Sequence, residues 1–116
     1  PKGRIQIAYA LGAGGAGFRL RVAGIDARRA RPASVRLVLV EEGLTAQGDA
    51  AHPPVARALA LAGVIPPRAS GWEGEVSVGL EDIWNRRRLR AVVFAQDLTT
   101  REIVALGDSA LAEAEE

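Results

Sequence analysis

The chain has 116 residues, with 15 Lys and Arg against 14 Asp and Glu and no cysteine. That length makes one domain able to bury roughly two thirds of its unfolded surface, so a core forms without metal or disulfide staples. The composition excludes disulfides, thiolate nucleophiles and zinc–thiolate sites, and the charge balance argues against a duplex-binding face.

No apolar run approaches the ~20 residues of a membrane-spanning helix. The chain begins at Pro1 and contains no methionine, so it is expected to be a piece of a longer product.

Period-two alternation predicts strands. Ile5, Ile7 and Tyr9 alternate with Arg4, Gln6 and Ala8 in the first, and Phe18, Leu20 and Val22 with Arg19 and Arg21 in the second. A glycine-rich link, Gly12 to Gly17, joins them. Val35–Val40 and Leu89–Ala95 are apolar on both faces, which predicts central strands whose second face is covered, by this domain or another. Val76, Val78 and Leu80 alternate in a further strand, and Asp97–Arg101 reads as a hairpin turn between Phe94 and Ile103. Pro54–Gly63 has local helix signals, a leading proline and a closing glycine; as a strand it sets Val55, Leu59 and Leu61 on one face, with Arg57 among them. The whole predicts an all-β, immunoglobulin-like antiparallel sandwich of about seven strands over 1–108, with 109–116 as a flexible or helical tail.

Gly12, Gly14 and Gly17 fit the spacing of a dinucleotide fingerprint, but an alternating strand follows them where a helix is required, so the nucleotide reading fails. His52, the single histidine, lacks a serine in nucleophile-elbow context and lacks further ligands for a metal. Glu41 and Glu42 are adjacent, so within one strand they point to opposite faces. Glu73 and Glu75 share a face at an expected edge and read as solvated charge. Arg86, Arg87 and Arg88 follow Trp84, a pairing suited to single-stranded nucleic acid; Glu81 and Asp82 just before offset that charge, so no nucleic-acid partner is expected. No nucleophile, base and orienting group assemble, hence no catalytic residue, metal or cofactor is expected and the chain is read as non-enzymatic.

Three stretches carry a family resemblance: Glu41-Glu42-Gly43-Leu44 leading to a histidine loop and Val55-Ala56-Arg57-Ala58-Leu59, then Val93-Phe94-Ala95-Gln96-Asp97, then Thr100-Arg101-Glu102-Ile103. In this order, over Val35 to Leu106, the chain resembles the C-terminal β-sandwich of the Omp28-related family and of similar secreted proteins with a thioredoxin-like N-terminal part. It departs from the pattern at Pro53-Pro54 after His52. The resemblance implies an accessory, non-catalytic domain in an exported protein, and a strand rather than a helix at 54–61. The expected partner is its own upstream domain or a second copy of itself, met through Val38, Val40, Val92 and Phe94. The alternative is a free-standing ligand-binding module for a peptide, carbohydrate or anion, using His52, Arg57, Trp72, Trp84, Arg86 and Arg88.

Overall fold

The computed structural model describes residues 2–43, 52–81, 84 and 86–111, with backbone alone at 43, 52–54 and 86. Within them lie seven strands: β1 (Gly3–Leu11), β2 (Gly15–Ala23), β3 (Ala33–Gly43), β4 (His52–Ile65), β5 (Trp72–Gly79), β6 (Leu89–Asp97) and β7 (Ile103–Ala110). They form one sheet in the order β4-β3-β6-β7-β1-β2-β5. Neighbours are antiparallel except β1 and β7, which run parallel over Gly3–Ala105 and Arg4–Leu106. The all-β sandwich expectation holds, with this short parallel seam as the departure from a purely antiparallel arrangement.

The seam divides the sheet into two halves, β4-β3-β6-β7 and β1-β2-β5, whose inner faces meet. Val35, Leu37, Leu39, Ala91, Val93 and Ala95 from one half pack with Ile5, Phe18, Leu20 and Val22 from the other. Alternation drives this: each strand sends every second side chain inward, and β6 buries alternate residues along its whole length. The seam needs close backbone approach. A Cβ on Gly3 would lie 2.7 Å from the Val104 carbonyl oxygen, and one on Gly107 would collide with the Ile5 carbonyl.

At the far ends of the order, the Trp72 indole of β5 lies against both Gly63 of β4 and Gly74 of β5, where any Cβ would overlap it. This plug draws the two sheet edges together and makes the sandwich nearly a barrel.

The Gly12–Gly17 link is shorter than expected, because β2 already starts at Gly15 and Gly12 N–H donates to its carbonyl (2.8 Å). Pro54–Gly63 lies inside β4, a strand as the family resemblance implied. β7 continues to Ala110 and Leu111 is buried, so the packed domain extends past 108 into the segment expected as a tail.

Candidate interaction surface

β4 carries an inverted pattern. Three register shifts interrupt its pairing with β3, one between Glu41 and Gly43 and two that set the outward rows: Val35 faces Gly63 but Arg36 faces Leu61, and Leu39 faces Ala58 but Val40 faces Ala56. Ala62 and Arg57 are the extra residues. Between the bulges, Ala58 and Ala60 align with inward Leu39 and Leu37, while Leu59 and Leu61 align with outward Val38 and Arg36. The two leucines are therefore 64% and 58% exposed. Straight alternation put Val55 on their face; the bulge at Arg57 moves it to the row of inward Glu41.

The pairing registers extend these rows across the half-sheet. Leu61, Arg36, Phe94 and Leu106 form one outward row; Leu59, Val38, Val92 and Asp108 form the next; Ala56, Val40, Arg90 and Ala110 form a third. Val38, Val40, Val92 and Phe94 are half-buried by their neighbours in these rows, and Leu106 is 48% exposed. Sequence reasoning had named those four. It missed Leu106, whose place beside Phe94 depends on β6–β7 register, and Arg36, whose surroundings depend on three strands.

Charge on this face is confined. Arg90 reaches Asp108 at 2.6 Å and Glu42 at 3.4 Å along its margin. Arg36 sits inside the apolar rows, and its Nε donates to Ser34 Oγ at 3.4 Å. Among the described residues no carboxylate lies within ion-pair distance of it.

The remaining candidates do not form one site. Arg57 is bound to Glu41 at 2.7 Å, at the end of the sandwich where β6 starts. Trp84 and Arg88 are half-buried near that end, Trp84 packing on the core. Trp72 is at the opposite end, under Gly63. The His52 side chain and that of Arg86 lie outside the described residues, as do Asp82 and Ile83. Glu41 and Glu42 point to opposite faces as expected, each to its own arginine.

A fully buried carboxylate, Asp97, ties the β6–β7 turn to the loop after β2. Its Oδ1 accepts from Thr99 N–H (2.7 Å) and Thr100 N–H (2.9 Å), and its Oδ2 from Arg29 (2.7 Å) and Arg31 (2.8 Å). The Thr100 amide above all, then Arg31, Thr99 and Arg29, holds the carboxyl well below its ordinary range against the opposing effect of burial. A hollow of about 480 Å³ beside it is lined by Lys2, Arg29 and Arg31 but also by Asp26 and Glu102. Asp26 is itself lowered by the Arg28 guanidinium and backbone N–H. Among the described residues no three His, Asp or Glu side chains converge as metal ligands, and no helix is long and apolar enough to cross a membrane.

No protein-family model matches the chain, and no curated protein does. In structure it is similar to a domain of the outer membrane lipoprotein Omp28 from Porphyromonas gingivalis, with a TM-score of 0.64 and 12% identity over 96% of this chain and 88% of that one. It is also similar to the sporulation control protein Spo0M from Bacillus subtilis, at a TM-score of 0.60 and 13% identity over 99% of this chain. It spans about half (51%) of the Spo0M chain. Identities this low show a common fold. The Omp28 likeness agrees with the resemblance carried by the sequence motifs in its β-sandwich part.

Proposed function

We infer that this is a non-catalytic accessory β domain that acts by presenting the outward face of β4-β3-β6-β7 to another folded surface. The observation that carries this reading is the inversion in β4: alanines face the core while Leu59 and Leu61 face outward, next to Val38, Val92, Phe94 and Leu106. Burying such side chains contributes about 25 cal/mol per Å² of apolar area. A contiguous apolar face of several hundred Å² on a compact domain marks an interaction site. The domain belongs, on this reading, to an exported protein with a thioredoxin-like upstream part; the likeness to an outer membrane lipoprotein domain supports the exported setting.

The absence of cysteine allows a direct test by single-cysteine labelling of the native gene product. Leu59→Cys reports the apolar face, at a position 64% exposed in the domain itself, and Ala8→Cys the opposite outward face. Maleimide is expected to modify the first far more slowly than the second in the folded product, and at equal rates after denaturation. Equal rates in the folded product would overturn the reading. Intact mass of the native product tests the upstream domain: a mass near 12 kDa would remove it.

A further inference from the structure

We propose that the occupant of the apolar face is a second copy of this chain, packed face to face about a two-fold axis that lies along β6. This rests on the interaction-surface reading above and names its partner.

Charge complementarity within the face itself favours a second copy. Arg36 on β3 has no carboxylate partner among the described residues, and the outward carboxylate Asp108 lies on β7, one row along. β3 and β7 flank β6 on either side. A two-fold axis in the plane of the face and along β6 therefore lays β3 of one copy over β7 of the other. Phe94 and Val92 then meet their own counterparts at the centre. Arg36 comes to the row of the partner's Leu106, within about 7 Å along the strand of the partner's Asp108. A guanidinium on its three-carbon stem spans that distance. The contact forms twice, and Arg90 keeps Glu42 while Asp108 is shared.

With the axis along β6 the strands that overlap are β3, β6 and β7, over the three outward rows, roughly 14 by 20 Å or about 300 Å² in projection on each copy. The overlap is smaller than a standard specific interface, so association is weak. Aligned sheets pack in this way about 10 Å apart. The expected assembly is a weak, reversible dimer with an apolar centre and an Arg–Asp pair on each side.

Sedimentation velocity of the 116-residue chain over roughly 1 µM to 1 mM, the range suited to so small an interface, tests this. A monomer–dimer equilibrium is expected. Phe94→Glu is expected to leave a folded monomer throughout. Arg36→Asp and Asp108→Arg are each expected to raise the dissociation constant about tenfold or more. The double exchange is expected to recover most of that loss, because the pair is re-formed with its signs reversed. A wild-type monomer at all concentrations overturns the dimer, as does a dimer insensitive to Phe94→Glu. A double exchange as weak as the sum of its parts overturns the Arg36–Asp108 register. If the chain stays monomeric, the Leu59→Cys labelling separates the two failures. Protection in the native gene product keeps the interaction face and assigns it a different partner; full reactivity removes both.

Discussion

The two outward faces of this sandwich are built from strands of similar length and solve the same problem in opposite ways. On β1-β2-β5 the outward rows read Gln6, Arg21, Glu73 and Ala8, Arg19, Glu75. Arg21 meets Glu73 at 2.8 Å and Arg19 meets Glu75 at 3.3 Å, so each charge is matched by the strand beside it. On β4-β3-β6-β7 most of the corresponding positions are leucine, valine and phenylalanine, and Arg36 among them meets no carboxylate among the described residues. An antiparallel sheet needs one buried face and tolerates water on the other. The first half follows that rule; the second is apolar on both faces, and the proposed interaction rests on this asymmetry.

The link that holds the two faces back to back gives the largest expected effect. Asp97→Asn removes the counter-charge of Arg29, whose side chain is only 12% exposed, and an unpaired buried cation is strongly destabilising. The thermal midpoint is expected to fall by on the order of 10 °C. The effect depends on pH in a defined direction. The folded carboxyl is held below its ordinary 3.8, so its stabilisation is complete above about pH 4 and is lost as pH falls from there through the folded value. Denaturant midpoints at about pH 7 and pH 3 are expected to differ markedly in the wild type and much less in Asp97→Asn. An equal difference in both would assign acid sensitivity to other groups.

Next comes the plug between the sheet edges. Gly63→Val cannot coexist with the Trp72 indole, and overpacking of this kind costs about 1–3 kcal/mol. In a Trp84→Phe background, Trp72 emission is expected to shift to the red as the ring leaves its seat. Unchanged emission would show that the edges close without it.

The inversion of β4 is sharpened by a pair of substitutions at adjacent positions. Ala60→Leu places a large side chain against the core row of Leu37 and is expected to destabilise by about 1–3 kcal/mol. Leu61→Ala, on the exposed side, is expected to change monomer stability by less than about 1 kcal/mol. Ordinary amphipathic pairing would give the reverse order, and urea unfolding of both variants in dilute solution decides it.

The strands themselves were legible because alternation is local: β1 and β6 lie within two residues of where Ile5–Tyr9 and Leu89–Ala95 put them, while β2 and β5 begin three and four residues before Phe18 and Val76. The double apolar character of Val35–Val40 also pointed to the face that now carries Val38, Val92 and Phe94. What stayed hidden is what depends on distant partners. The bulges at Arg57 and Ala62 leave no mark in an alanine-rich run, yet they decide which way Val55 points. Asp97 looks like a turn residue, and its arginines come from 66 and 68 positions earlier. The β1–β7 seam joins the two ends of the chain. Arg36 reads as one more arginine until both flanking strands are in place.

The smallest expected effect completes the contrast between the faces. Glu73→Gln and Glu75→Gln remove charges that are paired within the sheet surface but remain well exposed. Water and salt already screen such pairs, so each substitution is expected to change stability by less than about 1 kcal/mol. Neither is expected to alter the monomer–dimer equilibrium, because that face lies on the side of the sandwich opposite the proposed interface. Arg36→Gln, a change of the same size on the other face, is expected to leave monomer stability equally untouched and yet weaken association. If Glu73→Gln and Arg36→Gln weakened association alike, the effect would follow net charge and not position, and the two faces would be equivalent after all.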